Sequence, residues 1–86
     1  MYTVNFLEKA YKSLNKLDNK TRLSIIEYLD NPELLQNPKN FGKRLSHSLK
    51  NYWRYRVGKY RILCEIKDNE LIVLVAEIEH RDKVYD

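Results

Sequence analysis

The chain has 86 residues, of which 43% are hydrophobic and 33% charged, with only two glycines and two prolines. This length allows one domain with a single modest core and excludes two, and the composition is that of a folding chain rather than a disordered one. The formal net charge of +4 is uneven, because residues 34–64 hold eight Lys or Arg and no Asp or Glu, which leaves −4 for the remainder.

The first half of the chain predicts a strand and a helical hairpin. Residues 2–6 alternate between apolar and polar side chains, which indicates a strand, and apolar residues then recur at helical spacing over residues 7–17. Asp18 and Asn19 are good N-cap residues for a second apolar stripe. Because the residue before a proline avoids helical geometry, Asn31-Pro32 ends that stripe, and we predict the second helix over residues 19–29.

The second half predicts strands. Residues 32–50 contain both prolines, Gly42 and two serines, and we interpret them as a surface loop with room for one helical turn. Residues 51–57 and 60–66 then alternate on either side of a tight turn at Gly58-Lys59, which indicates a hairpin. A further turn precedes residues 71–78, which are apolar on both faces and fit a central strand covered on each side. The order β-α-α-β-β-β predicts an α+β fold, a mostly antiparallel sheet packed on a helical hairpin.

The basic segment 34–64 suggests a polyanionic partner. Clustered Lys and Arg release counterions from a phosphate backbone and steer association. Charge alone does not decide between three interpretations of this segment: a surface that binds nucleic acid, an ordinary solvated surface, and a surface that an acidic protein covers.

Cysteine usage and hydropathy favour a soluble cytoplasmic protein without a membrane partner. Cys64 is the single cysteine, so no disulfide and no oxidising compartment is indicated. The first residues lack the features of a signal peptide, and the longest apolar run, residues 71–76, is too short to cross a bilayer. One Cys and two distant His give no metal-ligand spacing, and we expect no metal and no cofactor.

Alternation along the predicted hairpin places three arginines on one face. If Tyr55 and Ile62 pack toward the helices, Arg54, Arg56 and Arg61 point together to the opposite side. Like charges so close on a sheet are unfavourable without an anion, and arginine grips phosphate through two hydrogen bonds. The alternative for each is an ordinary surface arginine. Trp53 falls on the apolar side, and we expect it in the core rather than stacked on bases.

The polar C-terminal segment adds two candidates. His80 can act as a general acid or base near neutral pH, or it can be structural or merely exposed. Tyr85 lies next to the chain end, where an aromatic side chain frays unless it docks. It either fills an apolar crevice or projects its phenol among the arginines, where cations would lower the phenol pKa and suit it to proton transfer.

Several stretches resemble the RelE branch of the RelE/ParE toxin superfamily. They are Gly42-Lys43-x-Leu45, the run Tyr52-Trp53-Arg54-Tyr55-Arg56-Val57-Gly58-Lys59-Tyr60-Arg61-Ile62, residues 72–78, and His80-Arg81-x-x-Val84-Tyr85. The predicted β-α-α-β-β-β order also matches that fold. The resemblance spans essentially the whole chain and implies a single RelE-like toxin domain over residues 1–86.

The resemblance implies the toxin of a type II toxin–antitoxin pair. Such a toxin is an mRNA interferase that enters the ribosomal A site, where the RNA's own 2′-hydroxyl attacks the adjacent phosphate. The implied enzyme is therefore a metal-independent endoribonuclease that inhibits translation. The implied partners are messenger RNA on the ribosome and a RelB-like antitoxin.

The resemblance also implies roles for particular residues. Arg56 and Arg61 would stabilise the phosphorane charge, Arg81 would hold the phosphate or assist the leaving 5′-oxygen, and Tyr85 would transfer protons or stack on the substrate. His80 is an auxiliary candidate, because Lys43-Arg44 occupies the region where a partner glutamate is expected in one sub-branch. The implied RNA-binding residues are Lys43, Arg44, Arg54, Lys59 and Lys83.

Two other functions stay open. A ParE-like inhibitor of DNA gyrase shares the fold and performs no RNA chemistry, and a non-catalytic member would use its basic face only to hold an antitoxin. ParE-like relatives tend to lack the arginine and tyrosine set, so the presence of Arg61, Arg81 and Tyr85 favours the interferase.

Overall fold

The computed structural model describes residues 1–46 and 51–83 of the chain. Within these two ranges, five strands form one sheet in the spatial order β1-β5-β4-β3-β2. The strands are β1 (Thr3–Phe6), β2 (Lys43–Arg44), β3 (Trp53–Val57), β4 (Tyr60–Lys67) and β5 (Ile72–His80). β1 runs parallel to β5 and the other pairings are antiparallel, which confirms the predicted α+β class and the mostly antiparallel sheet.

The α-helices in the described ranges are α1 (Glu8–Asn15), α2 (Asn19–Leu29) and α3 (Pro32–Gln36). Side chains cap the first turns of α2 and α3, whereas α1 begins after Leu7 without a side-chain cap. The Asp18 side chain accepts a hydrogen bond from the Thr21 amide at 3.3 Å, and the bounds of α2 are those predicted. The Asn31 side chain accepts from the Glu33 amide at 3.0 Å and starts α3, with proline in the first turn. None of the helices in the described ranges is long and apolar enough to cross a membrane.

The prediction of a surface loop with one helical turn over residues 32–50 agrees with the structure for the turn, which is the five-residue helix α3. It is wrong at Lys43 and Arg44, which form the edge strand β2 and pair with Arg54 and Trp53 of β3. A two-residue strand is too short to show alternation, and its partners in β3 lie nine and eleven residues further along the chain. Residues 47–50 of that predicted loop lie outside the described residues.

The main core lies between the sheet and the helices. Its largest fully buried side chains come from α2, α3 and the inner face of β3, β4 and β5, and α1 adds the smaller Ala10. The largest are Ile25, Leu29, Leu34, Tyr55, Ile62, Cys64, Val73 and Val75. The Tyr55 hydroxyl donates to the Pro38 carbonyl at 2.7 Å, which satisfies the buried phenol. Trp53 is half-buried and packs against this core, which confirms its predicted location.

A second, smaller cluster covers part of the opposite face of the sheet. It consists of Tyr52, Leu63 and Ala76 with Leu45 against them. The two clusters lie on opposite sides of β4 and β5, which accounts for the apolar residues on both faces of these strands. Beyond this cluster the outer face becomes basic.

Candidate functional site

The β3–β4 hairpin brings two arginines face to face. Gly58 has φ +58° and is the first residue of the two-residue turn, as a type II′ hairpin requires. This turn sets the register Val57–Tyr60, Arg56–Arg61, Tyr55–Ile62 and Arg54–Leu63. Because Tyr55 and Ile62 are buried on the helix side, Arg54, Arg56 and Arg61 share the outer face, as the alternation predicts.

A third element completes a positively charged cleft. The Arg81 amide donates to the Lys59 carbonyl at 2.8 Å, which fixes the start of a 3-10 turn, Arg81–Lys83, beside the hairpin turn. The cleft between them has a volume of about 290 Å³ and is lined by Arg56, Gly58, Lys59, Tyr60, Arg61, Arg81 and Asp82. We call it the arginine cleft. Three guanidinium-bearing residues, from β3, from β4 and from the segment after β5, therefore border one space.

Glu79 is an acidic neighbour of Arg61 that the sequence pattern did not predict. It lies opposite Arg61 on β5, and its Oε1 accepts hydrogen bonds from Arg61 Nη2 at 3.0 Å and from Arg61 Nε at 3.3 Å. A β-bulge puts it there: Leu63 pairs with Glu77 and Cys64 with Val75, so Ala76 is an extra residue in β5. The extra residue reverses the alternation of β5 after Val75 and turns Glu79 to the arginine face.

Arg54 is electrostatically coupled to the other two arginines. Its Nε is buried and has no hydrogen-bond partner among the residues that the structure describes. Burial, followed by the charges of Arg56 and Arg61, lowers the pKa of Arg54 from its usual value. Lys43 lies opposite Arg54 on β2 and is exposed, so the positive surface extends from the cleft to the sheet edge. Such a surface favours a bound anion.

Two further predicted site residues, Arg44 and His80, are not among those that line the arginine cleft. Arg44 pairs opposite Trp53, on the other side of β2 from Lys43, and borders a separate depression with Lys39. His80 lies opposite Tyr60, with the two rings nearly perpendicular and their centroids 5.0 Å apart. Its Nδ1 accepts the Asp82 amide at 3.2 Å, so the neutral ring carries its proton on Nε2.

Part of the predicted set falls beyond the described residues. Tyr85 lies outside them, and so does the side chain of Lys83, whose backbone ends the 3-10 turn. Lys59, by contrast, lines the arginine cleft. The roles of Tyr85 and Lys83 therefore stay predictions.

Comparison with known proteins gives consistent matches over nearly the full length. A family model described as ParE toxin of type II toxin-antitoxin system, parDE, matches residues 4–85. Toxin RelG of Mycobacterium tuberculosis is 31% identical over 84 residues, which cover 98% of this chain and 95% of the relative. Toxin RelE of the same organism is also 31% identical, covering 98% of this chain and 86% of the relative. The crystal structure of the RelBE2 toxin–antitoxin complex from M. tuberculosis matches with a TM-score of 0.80 and 31% identity, over 93% of this chain and 91% of the other.

Proposed function

We propose that this chain, which belongs to the RelE/ParE family of toxins from type II toxin–antitoxin systems, is an endoribonuclease that cleaves messenger RNA in the ribosomal A site. The observation that carries the proposal is that Arg56, Arg61 and Arg81 line one cleft. The similarity to RelG and RelE toxins over 98% of the chain supports it. Residues 1–86 would act as one toxin domain in the cytoplasm, where messenger RNA is translated.

The chemistry we propose uses the RNA as its own nucleophile. The 2′-oxygen attacks the adjacent phosphorus as its proton leaves, and the bond to the 5′-oxygen breaks as that oxygen gains a proton. The products are a 2′,3′-cyclic phosphate and a 5′-hydroxyl. Negative charge builds on the phosphoryl oxygens in the transition state, and fixed positive charge at that point is the kind of contribution that usually dominates catalysis.

Each arginine of the cleft has a proposed part in this step. Arg56 and Arg61, opposite each other, would bind the equatorial phosphoryl oxygens, and Arg81 would hold the phosphate or assist the leaving 5′-oxygen. Guanidinium groups stay protonated at all physiological pH values and are poor proton carriers. Proton transfer would therefore fall to Tyr85 and to groups of the ribosomal A site, which gives a reason for ribosome dependence.

We also propose a RelB-like antitoxin as the protein partner. The matching M. tuberculosis structure is a complex of toxin and antitoxin. In this chain residues 34–64 carry eight Lys or Arg and no acidic residue, a charge that an acidic segment would neutralise. Binding there would exclude RNA and keep the toxin inactive.

The test is to incubate the purified protein with ribosomes programmed with a defined message and to map the ends. Cuts within the A-site codon, with naked message left intact, support the proposal. The competing function is inhibition of DNA gyrase by a ParE-like toxin. It remains an alternative because the matching family model is named for ParE toxins. Intact message together with inhibited gyrase would establish that function instead.

A further inference from the structure

We propose that Glu79 is a positioning residue of the arginine cleft, which orients the Arg61 guanidinium for phosphate while its negative charge weakens anion binding there. The inference rests on the proposed function for the catalytic part of its effect. It starts from the two hydrogen bonds that Glu79 Oε1 accepts, from Arg61 Nη2 at 3.0 Å and from Arg61 Nε at 3.3 Å.

These two bonds use only one edge of the guanidinium. Arginine has five N–H groups, and the carboxylate oxygen engages Nε–H and one hydrogen on Nη2. Three N–H groups remain, including the pair on the Nη1–Nη2 edge that matches two oxygens of a phosphate. Glu79 therefore leaves Arg61 able to bind phosphate and restricts the direction in which it does so.

The position of Glu79 is set by the backbone. Arg56, Arg61 and Glu79 are consecutive partners across β3, β4 and β5, so Arg61 lies between a like charge and an opposite one. The side chains of Arg61 and Glu79 are 23% and 32% exposed, which makes this pair more fixed than an ordinary surface ion pair. Without Glu79, repulsion by Arg56 would move the Arg61 guanidinium toward solvent.

The same carboxylate opposes the binding of an anion. A phosphate on the free edge of Arg61 would lie near the Glu79 carboxylate, and the two negative charges would repel each other. Removing the charge should therefore strengthen phosphate binding. Removing the hydrogen-bond acceptor as well should loosen Arg61 and slow the reaction.

Two variants separate these effects. Glu79→Gln removes the charge and keeps an oxygen that can accept from Arg61, whereas Glu79→Ala removes both. Glu65→Gln is the matched control, because Glu65 is exposed on the same face of β4, four residues or about 13 Å along the strand from Arg61. Thermal melting of each variant shows whether it is folded. If the alanine variant does not fold, Glu79→Gln alone still tests whether the charge opposes phosphate binding.

The first measurement titrates inorganic phosphate into each protein and follows the Arg61 Nε–Hε resonance by NMR. We expect both Glu79 variants to bind phosphate about three- to tenfold more tightly than the wild type, and Glu65→Gln to match the wild type. The second measures cleavage on programmed ribosomes. We expect Glu79→Ala to lose at least tenfold in kcat with a lower KM, and Glu79→Gln to recover most of kcat while keeping the lower KM.

Unchanged phosphate affinity in both folded Glu79 variants would overturn the inference, as would equal loss of kcat in the glutamine and alanine variants. Failure of the proposed function gives a different result. In that case the wild type leaves the A-site codon intact, while the phosphate titration still shows whether Glu79 opposes anion binding at Arg61.

Discussion

Arg56 and Arg61 lie directly opposite each other in the β3–β4 hairpin, on the face of the sheet away from the helices. Like charges in this relationship destabilise a sheet, and Glu79 offsets the charge of Arg61 only. The sheet therefore carries an unfavourable charge pair where the arginine cleft is formed, as expected of a site that binds an anion.

Arg56→Ala should separate activity from stability. We expect it to lower cleavage on programmed ribosomes by about 10²- to 10³-fold, because it removes a charge that stabilises the transition state. It should leave the free energy of unfolding unchanged or raise it by up to about 1 kcal/mol, because a like-charge contact is lost. Urea unfolding and a cleavage assay check both, with Arg22→Ala on α2 as the control. A variant that cleaves like the wild type would remove Arg56 from the site.

Arg81 and His80 are neighbours in sequence, but their alanine substitutions should reduce cleavage to different extents. Arg81 lines the cleft with a side chain that is 66% exposed, so Arg81→Ala should abolish most cleavage without loss of folding. The His80 ring contacts Tyr60 and is not among the side chains that line the cleft, so His80→Ala should cost less than about tenfold. Tyr85→Ala should behave like Arg81→Ala. Equal losses in the His80 and Arg81 variants, measured in one cleavage assay, would contradict this separation.

The two residues of β2 should differ in RNA binding. Lys43 is in phase with Arg54, whereas Arg44 is in phase with Trp53 on the other side of the sheet. Lys43→Ala should weaken binding of a single-stranded RNA and reduce the salt dependence of log K by about 0.7, the value for one phosphate contact. Arg44→Ala should leave that salt dependence unchanged. The opposite ranking, in fluorescence titrations at several salt concentrations, would place the RNA on the other face.

Both glycines have positive φ but different surroundings, so their alanine variants should lose different amounts of stability. A Cβ on Gly42 would overlap the carbonyl oxygen of Arg54 on β3, so Gly42→Ala should displace β2 and cost more than about 2 kcal/mol. A Cβ on Gly58 meets open space, so Gly58→Ala should cost only the backbone strain, about 1 kcal/mol. Urea unfolding of both variants measures the difference, and equal costs would show that β2 is not packed against β3 as described.

Stability should fall at alkaline pH because of two buried groups. Burial raises the pKa of the Cys64 thiol to about 12 and also raises the pKa of Tyr55. Above about pH 8.5 the unfolded thiol loses its proton while the folded one keeps it, so the free energy of unfolding decreases as the pH rises toward 12. We expect a loss of roughly 1–3 kcal/mol between pH 8 and pH 10.5 by urea unfolding. Cys64→Ala should reduce the pH dependence of the free energy of unfolding. A wild-type protein that is equally stable at both pH values would contradict the burial of the thiol.

Much of the fold could be predicted because its signals are local. Asp18 and the Asn31-Pro32 pair define both ends of α2, and the Gly58 turn fixes which residues of β3 and β4 face each other. From that register the shared face of Arg54, Arg56 and Arg61 follows by alternation alone.

The remainder depends on contacts between distant parts of the chain. Strand β2 exists because Lys43 and Arg44 pair with β3, and nothing within those two residues indicates a strand. Glu79 is hidden for another reason. Uninterrupted alternation from Val73 would place Glu79 on the helix side, and the bulge at Ala76 cannot be detected where both faces of the strand are apolar.

The central claim is that the arginine cleft cleaves messenger RNA in the A site. The most direct measurement is primer extension on a message held on ribosomes with one defined codon in that site, with wild-type protein and with Arg61→Ala. We predict a cut within that codon by the wild type and a cut reduced at least 10²-fold by the folded variant. An intact codon with the wild type, or equal cutting by both proteins, would contradict the claim.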